Sequence, residues 1–125
     1  QRIAPTIGAI DRYLAARSTP YEILVVDDGS TDKTGDVAMA AAPRTVRILR
    51  LDANSGKGEA VRRGMLEARG SLILYTDADG STPIEELAAL TDAVTRGAEI
   101  AFGSRAKGSA TTRVRTVLHR KIMGR

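Results

Sequence analysis

Hydrophobic and polar positions alternate along this chain in two rhythms. Ile3, Ile7, Ile10 and Leu14 recur at steps of three and four, which predicts an amphipathic helix over residues 1–17. Pro5 suits only its first turn, and Ser18-Thr19-Pro20 ends it. Tyr21 to Val26 is then a short apolar run, which predicts a strand. Ser30 or Thr31 is placed to cap a helix from Asp32 to Ala42, closed by Pro43. Thr45 to Leu51 predicts a second strand and Asp52 to Gly58 a loop. Glu59 to Ala68 predicts a helix with Ala60, Val61, Gly64, Met65 and Ala68 on one face, stopped at Arg69-Gly70. Leu72 to Tyr75 is a third apolar run, predicted as a buried strand. Thr82, Pro83 and Glu85 have the spacing of a capping box for a helix to Arg96, with Ile84, Leu87, Leu90 and Val94 inward. Gly97 ends that helix, Ala98 to Phe102 predicts a strand, and Arg113 to Met123 a final basic helix.

Strands that alternate with helices predict an α/β fold with a mainly parallel sheet and right-handed crossovers. Ligands in such sheets bind beyond the carboxyl ends of the strands. Asp-Gly-Ser-Thr occurs twice, at Asp28–Thr31 and Asp79–Thr82, each time after an apolar run and before a helix. Both acidic turns are therefore expected on one edge of one sheet.

That edge carries the candidate chemistry. Asp77 and Asp79 flank Ala78, and side chains two apart in extended backbone point to the same side. Two close carboxylates repel unless a cation or proton lies between them, and their hard oxygens suit Mg²⁺ or Mn²⁺. Asp27 and Asp28 fit a strand-to-helix turn, where acids favour the helix dipole. They equally fit a site whose carboxylates accept from a nucleobase N–H or ribose hydroxyls. Gly56-Lys57-Gly58 lacks the Walker spacing, because Leu51 stands where that loop needs Gly and Gly58 where it needs Ser or Thr. What remains is a flexible helix start with one Lys, suited to an anion or serving as a plain turn.

Composition narrows the classes. At 125 residues the chain is one domain with room for a core. It has no cysteine and one histidine, His119, which excludes disulfides and thiolate metal sites and leaves little for zinc. No apolar run approaches the roughly 18 residues of a spanning helix. Net charge is +4, but the stretch from Ile100 carries seven bases and no acid, leaving −3 on the rest. Such a tail is either solvated surface or a surface for phosphate and anionic lipid. Three Tyr and one Phe are too few for stacking platforms, so no nucleic-acid partner is expected.

Two composite readings are open at this point. One is a phosphoacceptor signalling receiver, which has an acidic pair after its first strand and a phosphorylated Asp after a later one. Val25-Val26-Asp27-Asp28, Asp77 or Asp79, and Pro83 match it. The helix before the acidic strand, the second Asp of the pair and the loop around Lys57 do not. The other rests on an ordered set: Val25 to Asp32, Asn54-Ser55-Gly56-Lys57-Gly58, Ala60-Val61-Arg62, Gly64, Asp77-Ala78-Asp79-Gly80 and Gly103-Ser104-Arg105. From Ile23 to Arg105 this resembles the family-2 inverting glycosyltransferases, in the branch of the dolichyl-phosphate or polyprenyl-phosphate glucosyltransferases and the dolichol-phosphate mannose synthases.

The resemblance implies a GT-A fold, a three-layer sandwich with a Rossmann-like sheet, and a nucleotide-diphosphate sugar donor. It implies Asp28 against base or ribose, with Asp27, Gly29, Lys57, Asp77 and Ala78 around the nucleotide sugar. Asp77 and Asp79 match its Asp-x-Asp, with Asp79 as direct ligand of Mg²⁺ or Mn²⁺, and Arg105 falls where the family approaches phosphate. UDP-glucose is the donor expected from the branch, and a lipid phosphate the acceptor. The expected location is cytoplasmic and peripheral at an anionic membrane. The family's first strand, ending in a Pro-x-x-Asn-Glu-like turn, and its acceptor half have no counterpart here. The chain is thus expected to be an internal fragment, a single partial domain over 1–125 with a basic tail at 104–125. A phosphate acceptor needs no catalytic base, being largely dianionic at neutral pH.

Overall fold

The computed structural model describes residues 3–103 and the pair Arg115–Thr116. The elements are α1 (Ile3–Ala15), β1 (Ile23–Asp27), α2 (Thr34–Ala41), β2 (Val46–Arg50), α3 (Lys57–Glu67), a 3₁₀ turn (Ile84–Glu86), α4 (Leu87–Thr95), β3 (Ala101–Phe102) and β4 (Arg115–Thr116). They form two compact units, Gln1–Thr82 and Pro83–Arg125.

In the first unit β1 and β2 pair in parallel, with Ile23 opposite Val46 and Asp27 opposite Arg50. The α2 crossover joins them, as parallel neighbours require. The core lies where α1 and α2 meet: Ile3, Ile7, Ala38, Ala42 and Val46 are buried, with Ile23, Val25, Val37 and Ile48 packed against them. Ala38 and Ala42 leave room for the isoleucines of α1. Burying each of these isoleucines contributes about 1.5–3 kcal/mol. Asp11 ties α1 to the strand side, accepting from the Tyr21 hydroxyl at 2.8 Å and the Thr45 hydroxyl at 2.6 Å. Those hydrogen bonds, Thr45 foremost, hold the Asp11 carboxyl below the usual range. Arg47 on β2 reaches Glu22 at 3.1 Å, and Glu22 also accepts from the Arg69 backbone N–H at 2.8 Å. The segment after α3 is thereby fixed to the strand pair.

The sequence reading places α1, β1, α2, β2 and α3 correctly to within two residues at every end, and three departures have physical causes. Leu72–Tyr75 belongs to no ladder among the described residues, where β1 has β2 on one side only. An apolar run becomes a strand only with a hydrogen-bonded neighbour, and without one Leu72, Ile73, Leu74 and Tyr75 remain 41–55% exposed. The capping box is absent: Pro83 stands at the cap position with extended backbone and no side-chain cap hydrogen bond, and the helix opens through the 3₁₀ turn. In the second unit β3 and β4 pair antiparallel, Ala101 with Thr116 and Phe102 with Arg115. Arg115 and Thr116 are therefore strand where a basic helix is predicted. The rest of that predicted helix, Arg105 and most of the tail lie outside the described residues.

Candidate functional site

Both acidic turns belong to the first unit, and the loop before α3 connects them. Asp27 closes β1 and is buried. Its Oδ1 accepts from the Ser30 backbone N–H at 2.9 Å and from the Ser30 hydroxyl, and its Oδ2 receives Arg50 Nε at 3.3 Å. The Ser30 hydroxyl bond leads in holding this carboxyl below its ordinary value, with Arg50 adding to it. Ser30 thus serves the turn rather than capping α2. At the start of α2, Asp32 accepts from the Thr34 N–H at 3.0 Å.

Asp28 faces the other way. Its Oδ1 accepts from the Ser55 N–H at 2.7 Å and its Oδ2 from the Gly56 N–H at 2.9 Å. One carboxylate thereby binds two successive amides of the loop ahead of α3. Each oxygen retains a free lone-pair site, so a further donor can still be accommodated. Gly29 makes this closeness possible: its φ is +72°, and a Cβ there would lie 2.7 Å from the Asn54 nitrogen. On the far side, α3 packs on β1 where Gly64 faces Val26, with only 2.9 Å between an added Cβ and Val26 Cγ2.

The residue after that clamp reaches the second turn. Lys57 Nζ lies 2.9 Å from Asp77 Oδ1, and the Tyr75 hydroxyl donates to the same oxygen at 2.7 Å. The Tyr75 ring centroid is 5.9 Å from Nζ, within cation–π range. The Asp77 hydrogen bond, then Tyr75, raises the Lys57 ammonium above its ordinary value. Asp79 turns back on its own loop, accepting from the Ser81 N–H at 2.9 Å. Gly80 beside it has φ +70° and backs onto Thr6 of α1.

Residues 55–57 are therefore bonded at one end to Asp28 and at the other to Asp77. Of the residues named from sequence, Asp28, Gly29, Lys57 and Asp77 come together through this loop. Asp27 lies beneath it in the scaffold, Ala78 and Asp79 follow in the second turn, and Arg105 is not described. Sequence reasoning missed Tyr75, although its place two before Asp77 was the available signal: extended backbone puts the two on one side. It also missed Arg50, whose pairing with Asp27 depends on strand register. An open recess of about 230 Å³, lined by Arg50, Asp52, Ser55, Glu59 and Arg63 among others, borders the clamp.

Among the described residues no group of three or more His, Asp or Glu side chains is set to hold a metal. The donor set still fits a divalent ion: Mg²⁺ is commonly held by one or two carboxylates, completed by waters and the phosphates of its ligand. Among the described residues no helix is long and apolar enough to cross a membrane.

The family model described as Glycosyl transferase family 2 matches residues 3–124. The chain is 45% identical over 121 residues to a dolichyl-phosphate beta-glucosyltransferase of Drosophila melanogaster, covering 85% of this chain and 37% of that protein. It is 36% identical over 136 residues to one of Trichomonas vaginalis, covering 99% and 40%, and 44% identical over 71 residues to one of Homo sapiens, covering 54% and 22%. The chain thus spans at most two-fifths of these relatives. No solved structure matches it significantly.

Proposed function

Because the chain belongs to glycosyl transferase family 2, with the α/β GT-A fold of that family, we propose that it forms the donor-binding part of an enzyme that transfers glucose from UDP-glucose to a lipid phosphate such as dolichyl or polyprenyl phosphate, with inversion. The glucose and the acceptor follow the names of its relatives. The observation that carries the reading is the loop at residues 55–57, bonded to Asp28 and to Asp77. A carboxylate can accept from ribose or base and a lysine can meet phosphates, and a loop that brings Asp28 and Lys57 close together supports this reading. Family membership displaces the receiver alternative.

In this mechanism Asp28 accepts from the ribose or base, and Asp27 keeps the turn rigid beneath it. Lys57 supplies charge to the diphosphate. Asp77 and Asp79 would hold Mg²⁺ or Mn²⁺, which supplies Lewis-acid stabilisation of the departing diphosphate when bound. An oxygen of the acceptor phosphate attacks the anomeric carbon. The bond from that carbon to the diphosphate oxygen breaks, and the electron pair leaves with the nucleoside diphosphate. A phosphomonoester has its second pKa near about 6 and needs no proton removed. It needs only to be held, and Arg105 suits phosphate geometry. The acid-free basic stretch from Ile100 then lies against an anionic membrane, placing the enzyme peripherally on its cytoplasmic side.

The test is transfer of labelled glucose from UDP-glucose to dolichyl phosphate by the full-length protein, beside a thermal-shift screen of nucleotide sugars with and without Mn²⁺. Glucosyl lipid formed together with a UDP-glucose shift is the expected result. A shift with another nucleotide sugar alone would move the donor, and neither signal would end the proposal.

A further inference from the structure

Resting on the two-carboxylate reading above, we propose that Lys57 is a positioning residue that occupies Asp77 in place of the divalent ion until a diphosphate arrives, and so makes metal binding depend on the nucleotide.

The geometry has three parts. Lys57 Nζ sits 2.9 Å from Asp77 Oδ1, a distance at which the ammonium takes one of the carboxylate's lone-pair directions. Tyr75 supports the arrangement from two sides, with its hydroxyl on the same oxygen at 2.7 Å and its ring 5.9 Å from Nζ. The Lys57 and Asp77 side chains are 71% and 50% exposed, so the pair is screened and weak enough to be exchanged. Lys57 is also the first residue of α3, directly after the two amides held by Asp28. Its backbone is fixed while its four-carbon stem is free to swing.

A divalent ion arriving alone meets a carboxylate already paired with the Lys57 ammonium. A diphosphate arriving first, or together with the ion, offers Lys57 a more highly charged anion. Asp77 is then released to the metal. Removing the ammonium should therefore strengthen binding of the ion alone and weaken its dependence on nucleotide. This coupling is reciprocal, as linkage requires.

The experiment measures Mn²⁺ affinity of the full-length protein by electron paramagnetic resonance, with and without UDP, for wild type, Lys57→Met and Lys57→Arg. Lys57→Met is expected to bind Mn²⁺ alone about threefold to thirtyfold more tightly than wild type, the range set by a lost surface ion pair and a lost neighbouring charge. The gain in Mn²⁺ affinity on adding UDP should shrink by a similar factor, while Lys57→Arg keeps the wild-type pattern. Mn²⁺ binding that is equal in wild type and Lys57→Met overturns the proposal but leaves the metal reading standing. Mn²⁺ binding to no variant, with or without UDP, overturns both.

Discussion

Asp27 and Arg50 stand opposite each other at the last register position of the parallel β1–β2 pair, with Arg50 Nε 3.3 Å from the buried carboxylate of Asp27. The contact is lopsided, because the Arg50 side chain is 62% exposed and that of Asp27 is 1% exposed. Arg50 therefore gives up little solvation, and Ser30 supplies most of what keeps Asp27 ionised.

Stability should depend on pH through this residue. The folded carboxyl titrates below its unfolded value. Its contribution is thus fully present above about pH 4, the ordinary Asp value, and is lost as pH falls through the lowered folded value. Asp27→Asn should remove about 1–3 kcal/mol at neutral pH by weakening the bonds to Ser30 and Arg50. It should also flatten the acid limb of the stability curve. Denaturant titrations from pH 3 to 7 check this, and a variant as acid-sensitive as wild type would assign that sensitivity elsewhere.

Asp28 and Gly29 should act as one device. Asp28→Ala leaves the Ser55 and Gly56 amides without their partner and frees the loop. Gly29→Ala puts a methyl within 2.7 Å of the Asn54 nitrogen at a φ of +72°, a strained backbone worth about 1–3 kcal/mol. Both should weaken UDP binding by calorimetry. Asp28→Ala should do so with little change in melting temperature, whereas Gly29→Ala should lower both.

How much of this was legible follows from what each feature needs. The helix of Ile3, Ile7, Ile10 and Leu14 was readable because periodicity is local. The expectation that both Asp-Gly-Ser-Thr turns lie on one sheet edge was not met: among the described residues the run before the second turn joins no ladder, and Asp77 meets the loop held by Asp28 through Lys57. The state of Leu72–Tyr75 was not readable, because hydrophobicity states a preference for burial and not which neighbour provides it. Nor were the loop contacts: Asp28 meets Ser55 across 27 positions, and only register and loop closure decide that. Thr82, Pro83 and Glu85 had capping-box spacing, yet the extended backbone at Pro83 put the helix start elsewhere.

Asp79→Ala in the full-length enzyme should reduce metal-dependent sugar transfer on the order of 10²–10³-fold, the scale of a lost electrostatic stabiliser. Initial rates with Mn²⁺ titrated to saturation are the measurement. Full activity after metal removal would take Asp79 out of the mechanism.

Reversing the charge of Arg113 and Arg115 should lower affinity for anionic vesicles by on the order of tenfold or more, at about 1 kcal/mol per basic residue near a charged surface. Vesicle sedimentation at low and high salt is the assay. Salt-independent or unchanged binding would make the basic stretch an ordinary solvated surface.

Among the described residues of the first unit the buried ones are Ile3, Ile7, Asp27, Gly35, Ala38, Ala42, Val46 and Leu51, all before the loop at residues 55–57, and α3 has none. Resistance to opening is therefore graded along the chain. Amides of β1 and β2 should exchange with solvent deuterium only on global unfolding, while those from Gly56 through Thr82 open locally at far lower free energy. Ligand bound across Asp28 and Asp77 would draw its two contacts from opposite ends of that gradient. Part of its affinity would go into ordering the looser end, and protection there should rise on binding while β1 stays unchanged.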